Sequence, residues 1–212
     1  MAQYFSTFLE GFKGYFGYLS REVILANDPW YQNWFYWLIL LSVVVWGVEL
    51  ALPWRKDQAP LRKDFWLDVF YMFFNFFLFS LVIFNGVSFV AVELFNDFLG
   101  LFGITNTVAI SIQNWPIVLR FGLAFIIADF IQWNVHRTLH RVPWMWEFHK
   151  VHHSVKEMGF AAHLRFHWME SVIYKTIQYI PLAMIGFGIE DYFIMHIFAV
   201  AIGHLNHANV DW

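Results

Sequence analysis

The chain has 212 residues, of which 59% are hydrophobic and 22% aromatic, while only 14% are charged. Soluble domains contain about a quarter charged residues, and this many apolar side chains would leave large apolar patches exposed to water. The net charge of −3 identifies no partner, and we expect no nucleic acid to bind. The absence of cysteine excludes disulfides, thiolate zinc sites and a cysteine nucleophile. A strong metal site must therefore use nitrogen and oxygen ligands.

The N-terminal segment, residues 1–28, is predicted to form an interfacial amphipathic helix. Its apolar residues recur at three- and four-residue steps over residues 5–19, the period of one helix face. No basic side chain precedes Lys13, so the segment lacks the charged start of a signal peptide.

Residues 34–135 are predicted to contain the spanning helices. Residues 34–52 carry one charge, Glu49, and are long enough to cross a bilayer. A short basic loop follows, which the positive-inside rule places in the cytoplasm, and residues 65–84 cross back. Glycines and acidic residues interrupt residues 85–115, which favours a re-entrant or interfacial hairpin. Pro116 then opens the helix 116–135.

Residues 136–170 are polar and rich in basic side chains, which predicts a cap on the cytoplasmic side. Residues 172–187 and 192–207 are apolar and joined by a glycine turn, so we expect a hairpin that brings His204 and His207 to the level of His136. The predicted fold is an all-α integral membrane bundle with about four spanning helices and a histidine-rich helical cap, forming a single domain over residues 1–212.

The ten histidines all lie at or after His136. Three groups have the three- and four-residue steps that place side chains on one face of a helix. They are His136 and His140; His149, His152 and His153; and His204 and His207. Imidazole binds iron, zinc, copper and nickel, and this number of rings exceeds what one tetrahedral ion needs, so two ions are predicted. The zinc-protease pattern H-E-x-x-H is absent.

The motifs H-R-T-L-H at 136–140 and W-E-F-H-K-V-H-H-S at 146–154 resemble the first two histidine boxes of the fatty acid hydroxylase/sterol desaturase superfamily. R-F-H-W-M-E at 165–170 is similar to the family's R-x-H-x-x-E stretch. H-A-N-V at 207–210 resembles the region of the ligand that precedes the family's last histidine box. The basic loop and the following aromatic helix, with Asp68 and Tyr71, are also similar to the family, so the resemblance covers most of the chain.

The resemblance implies a cytosolic cap that holds two iron ions, which zinc can replace in purified protein, with O2 as co-substrate. The implied reaction is hydroxylation or desaturation of a fatty acyl chain or sterol in the bacterial inner membrane or endoplasmic reticulum. Electrons would come from an external donor such as cytochrome b5 or a ferredoxin. The implied metal ligands are His136, His140, His149, His152, His153 and His207, with His204 as a weaker candidate. The residues implied to line or brace the site are His163, Arg165, His167 and Glu170.

Other polar residues have competing interpretations. Asp129 lies seven residues before His136 on the same helix face, so it either orients that ring or pairs with Arg120. His196 has the sequence context of a packed core histidine. For His204 and His207, the alternative to metal binding is hydrogen bonding at the end of a helix.

The family carries a further H-x-x-H-H box beyond the position of His207, whereas this sequence stops at Trp212. We expect truncation before that box. The alternative is a non-catalytic metal-binding or scaffold protein related to such enzymes. A metal transporter is disfavoured, because it would place histidines at several membrane depths.

Overall fold

The computed structural model describes residues 2–26, 29–80, 85–106, 108 and 112–211, and its regular structure is helical, as predicted. The α-helices of the described residues are α1 Ala2–Val23, α2 Trp34–Ala51, α3 Phe65–Phe73, α4 Asn85–Gly100, α5 Ile117–Arg141, α6 Pro143–His149, α7 Trp168–Met184 and α8 Ile189–His207. A π-helical turn, Phe74–Leu78, extends α3, and the 3-10 turns His152–Ser154 and Phe160–Leu164 lie between α6 and α7.

Helices α2 and α5 are long and apolar enough to cross a membrane, with mean hydropathies of 1.8 and 1.4. Most of their side chains lie outside the protein core, and Val118 and Ile126 on α5 are 77% and 66% exposed. Such exposed apolar faces suit lipid and not water. The chain is therefore a helical membrane protein. The two further spans and the cytoplasmic side of the cap remain predictions.

The start of α2 is fixed by a buried carboxylate. Both carboxylate oxygens of Glu22, which is 0% exposed, accept backbone N–H groups at 2.8 Å, one from Trp34 and one from Phe35. The Asn33 side chain accepts a third N–H, from Tyr36, at 3.1 Å. Because the first turn of a helix has free N–H groups, these bonds anchor α1 to the start of α2.

We expect Glu22→Ala to destabilise the folded protein by about 1–3 kcal/mol, because two buried N–H groups would lose their acceptors. Thermal unfolding of the detergent-solubilised protein, followed by tryptophan fluorescence, measures this. Glu10→Ala is the matched control, since Glu10 is an exposed carboxylate on the same helix. Equal melting temperatures for the two variants would contradict the anchoring role.

Contacts between helices and loops hold the C-terminal end of α8 near the cap. Helix α8 packs against α2 and α5, and α7 packs against α5 and α6. The segment after α8 pairs with the α2–α3 loop, where Asn209 accepts the Arg55 N–H at 2.9 Å and donates to the Arg55 carbonyl at 3.0 Å. Pro53 and Val210 form an isolated antiparallel bridge beside this contact. The C-terminal end of α8 is thus held at the level of the cap.

One local prediction is untested and another differs from the structure. Residues 85–100 form one continuous helix that packs against α1; the re-entrant or interfacial hairpin predicted for residues 85–115 stays a prediction, because residues 107 and 109–111 lie outside the described part. The H-x-x-H-H motif was predicted to share one helix face, but α6 ends at His149 and His152 begins a separate 3-10 turn. The three residues therefore do not lie on one helix face.

Candidate metal centre

Four rings, His136, His140, His149 and His153, make up the first histidine group. Helix α5 presents two of them one turn apart, α6 ends on the third, and the following 3-10 turn supplies the fourth. Their candidate ligand atoms all lie within 4.8 Å of one another. The Nε2 atom of His140 is 3.2 Å from those of His136 and His153, and the His153 Nε2 is 3.1 Å from that of His149.

These separations fit a bound metal ion. An ion with nitrogen ligands at about 2.1 Å spaces neighbouring nitrogens by roughly 3.0–3.4 Å, depending on its geometry. The observed Nε2–Nε2 distances of 3.1 and 3.2 Å lie in that interval. The first group could therefore hold one metal ion.

Polar side chains of α7 orient two rings of the first group. The Glu170 Oε2 lies 2.8 Å from the His149 Nδ1, and both side chains are 2% exposed. Because the carboxylate accepts the Nδ1 hydrogen, the His149 Nε2 keeps its lone pair directed at the other rings. The Tyr174 hydroxyl, one turn further along α7, lies 3.5 Å from the His136 Nδ1.

A second histidine group consists of His152, His163, His204 and His207. The His152 and His207 Nε2 atoms are 3.2 Å apart. The His163 ring lies 5.2 Å from the His207 ring and 5.3 Å from the His204 ring between centroids. The predicted meeting of the α8 end with the cap therefore occurs in the structure.

The Nε2 lone pairs of His152 and His207 face each other. The His152 Nδ1 lies 3.3 Å from the Arg165 carbonyl oxygen, and the His207 Nδ1 lies 2.8 Å from the Gly203 carbonyl oxygen. A carbonyl only accepts, so each Nδ1 carries the hydrogen and each Nε2 is an acceptor. Two acceptors at 3.2 Å repel unless a cation lies between them. His152 and His207 could therefore supply two nitrogen ligands to one metal ion.

The remaining two rings of the second group form a hydrogen-bonded chain. The Ser42 hydroxyl lies 3.4 Å from the Met72 sulfur and 3.2 Å from the His204 Nε2, and the His204 Nδ1 lies 3.4 Å from the His163 Nδ1. If Ser42 donates to the sulfur, the His204 Nε2 donates to Ser42 and its Nδ1 accepts from His163. That tautomer leaves the His163 Nε2 as the unused acceptor.

Burial lowers the pKa of three cap histidines, His152, His153 and His163. Desolvation is the main cause that lowers the pKa of His152 to about 3, and the nearby His207 ring lowers it further. Desolvation also lowers the pKa of His153 and takes the pKa of His163 well below its usual value. Neutral imidazole is the metal-binding form, so at neutral pH no proton competes with an ion at these three rings.

A cavity of about 360 Å³ lies between the two groups. His136 and His153 line it from the first group, and His152 and His207 line it from the second. The rest of its wall is formed by Val155, Met158 and Ala162. The cavity therefore has a wall of imidazole rings opposite an apolar wall.

Three other residues singled out in the sequence lie outside the two histidine groups: Asp129, His167 and His196. Asp129 is exposed, and the hydrogen-bonding group at the His136 Nδ1 is Tyr174; Arg120 pairs with Asp191. His167 caps α7, where its Nδ1 accepts the Met169 N–H at 3.2 Å. The His167 N–H also donates at 3.3 Å to Glu170, the carboxylate that orients His149, and the roles of Asp129 and His167 at the site stay predictions. His196 is packed edge-on against Trp34, with a centroid distance of 5.7 Å.

Sequence reasoning missed three residues that shape the centre: Ser42, Tyr174 and Gly203. Tyr174 could have been found, because it lies four residues after Glu170 on one helix face. Gly203 lies against the His163 ring. A Cβ at position 203 would collide with that ring, so only glycine fits there. Ser42 contacts a ring 162 positions away, and no local pattern signals such a contact.

The chain is thus a helical membrane protein in which a cluster of imidazoles at the ends of apolar helices could hold a metal ion. Residues 121–212 match the model of the fatty acid hydroxylase family. The chain is also similar to an ornithine lipid hydroxylase of Rhizobium tropici, with 31% identity over 99 residues. That alignment covers 47% of this chain and 30% of the relative. No solved structure matches the chain significantly.

Proposed function

We propose that this protein hydroxylates a C–H bond of a membrane lipid with O2 at two iron ions held by the two histidine groups. The observation that carries the proposal is the convergence of rings from α5, the cap and α8 around one cavity. The family of residues 121–212 and the name of the relative favour hydroxylation over desaturation.

The first ion would be held by the Nε2 atoms of all four rings of the first group. The second ion would be held by His152 and His207, with His163 as their third partner. His204, the weaker candidate in the sequence, would support His163, because Ser42 and His163 engage its two nitrogens. Zinc would fit the same nitrogen donors and could replace iron in purified protein.

Iron, when bound, would supply the oxidising chemistry that side chains cannot provide. Hydroxylation places one oxygen atom of O2 in the C–H bond and reduces the other to water, which consumes two electrons and two protons. The chain has no redox cysteine, so the electrons would come from an external donor such as cytochrome b5 or a ferredoxin. Four exposed basic residues of the cap offer an acidic donor a docking surface: Arg137, Arg141, Lys150 and Lys156.

The substrate would enter with its apolar part against Val155, Met158 and Ala162. Ala162 is fully buried, whereas Met158 is 39% exposed and lies at the open side of this wall. Similarity to an ornithine lipid hydroxylase favours an acylated polar lipid over a sterol. The protein's part in the reaction is then to bind and to orient the substrate.

Filling the cavity should reduce the reaction without removing the metal. We expect Met158→Trp to lower product formation at least about tenfold, because a displaced substrate no longer presents its carbon correctly. Hydroxylated lipid is measured by mass spectrometry and iron by elemental analysis of the same preparations. Met158→Leu, which nearly conserves volume, should retain activity. Full activity in the tryptophan variant would show that the substrate does not use this wall.

The proposed reaction is tested by expressing the full-length protein in a host that lacks it and comparing lipid extracts. We expect lipids that have gained one oxygen atom, and growth under isotopically labelled O2 should transfer the label to them. His152→Ala should remove the product while the protein stays in the membrane. Bound iron with an unchanged lipid profile would instead favour the non-catalytic scaffold.

A further inference from the structure

We propose that Asp68 on α3 is the positioning residue for the second histidine group, whereas Glu170 positions the first. This inference rests on the proposed pair of metal ions. It predicts that each ion can be lost separately by changing one carboxylate that contacts no metal ion itself.

Asp68 is a fully buried carboxylate held between two arginines. Its Oδ1 lies 3.1 Å from the Arg165 Nη1, and its Oδ2 lies 2.7 Å from the Arg62 Nη2. Exposure is 0% for Asp68, 4% for Arg62 and 6% for Arg165. Buried charges are costly unless paired, so the two arginines depend on this carboxylate for their positions.

The two arginines hold both ends of the segment 159–165. The Arg62 Nη2 also reaches the Gly159 carbonyl at 3.4 Å, and Arg165 is the last residue of the segment. A Cβ at position 159 would collide with the Arg62 side chain, so glycine permits this close approach. Next to Gly159, the Phe160 N–H donates to Glu49 at 2.9 Å. The segment is therefore clamped to α2 and α3.

The clamped segment forms one side of the second histidine group. It carries His163, and the backbone carbonyl of Arg165 accepts from the His152 Nδ1 at 3.3 Å. That bond is what turns the His152 Nε2 towards His207. The position of Arg165, set by Asp68, thus determines whether these two Nε2 atoms face each other.

The first histidine group is held by other elements. Its contacts with positioning side chains come from α7, where Glu170 binds His149 and Tyr174 lies beside His136. His153 follows His152 in sequence, but its Nε2 is fixed by the rings of the first group, at 3.1 and 3.2 Å. The contacts of Asp68 therefore reach the second group and leave the first intact.

The test is metal content together with electron paramagnetic resonance of the purified, iron-loaded protein. The wild type should contain about two irons per chain, coupled and thus without the signal of an isolated ferric ion. Asp68→Asn should contain about one iron per chain and show that isolated signal, because the second group loses its orientation. Asp68→Glu should restore part of the second iron.

Two further variants make the result specific. Asp64→Asn is the matched control at the start of the same helix, because Asp64 lies 3.7 Å from Arg165 and is about a third exposed; it should retain both irons. If Asp68→Asn does not fold, the double variant Arg62→Gln/Asp68→Asn removes one charge of each sign and should show the same loss of one iron.

Two outcomes would overturn the inference: retention of both irons when Asp68 is changed, or loss of both irons in a variant that still folds. A wild type with one iron or none would reject the two-ion proposal and this inference with it. A wild type with two coupled irons that produces no hydroxylated lipid would reject only the reaction. Failure of the reaction and failure of the positioning role are thus distinguishable.

Discussion

Replacement of His153 by alanine should abolish lipid hydroxylation and remove the first iron. The His153 Nε2 lies 3.2 Å from that of His140 and 3.1 Å from that of His149, so this ring, like that of His140, has two close Nε2 neighbours in its group. Without it the first ion would have three ligands and an open position to water. Product is measured by mass spectrometry of lipid extracts, and iron by elemental analysis of the purified protein.

A histidine outside both groups provides the control. His167→Asn should retain activity and iron, because asparagine is a favourable N-cap residue and can replace the ring that caps α7. Wild-type activity in the His153→Ala protein would exclude the first group as a metal site. Equal losses in both variants would point instead to a general requirement for cap stability.

Glu170→Gln should lower the affinity for the first iron about 10- to 100-fold, since an amide cannot supply the charge that makes the His149 imidazole a strong ligand. The substitution conserves shape, and the glutamine oxygen can still accept the His167 N–H that the carboxylate accepts at 3.3 Å. Iron affinity is measured by competition with a chelator of known strength. Activity measured with saturating iron should recover partly.

Glu147→Gln is the matched control for this substitution. Glu147 lies on α6 near the same histidines, but it is exposed and forms a surface ion pair with Lys150. Exposed pairs contribute little to stability, so iron affinity should remain at the wild-type value. Similar affinities in the two variants would contradict an orienting role for Glu170.

The helices and the level of the histidine centre could be predicted because both depend on local patterns. Apolar runs of helical length identified α2 and α5, and the turn between α7 and α8 predicted that His207 would meet the cap. Pro143 also marks a boundary, because the residue before a proline disfavours helix; α5 ends at Arg141, and α6 begins at the proline.

The grouping of the histidines could not be predicted, because it depends on contacts between distant residues. The H-x-x-H-H motif has helical spacing, yet His152 leaves the helix and bonds to the Arg165 carbonyl. Its neighbour His153 joins the first group and His152 the second. Spacing indicates which rings can share a face, but the pairing of Asp68 with Arg165, 97 positions apart, decides which rings meet.

The contact between the segment after α8 and the α2–α3 loop has a consequence for biogenesis. Asn209 and Arg55 are separated by 154 positions, so their mutual hydrogen bonds form only after α8 has been synthesised and inserted. Native contacts of such long range form late and slowly. During synthesis the nascent chain would thus expose the cap histidines before their partners on α8 arrive. Metal capture should therefore follow membrane insertion of α8, and a protein in which that insertion is delayed should remain an apo intermediate vulnerable to proteases.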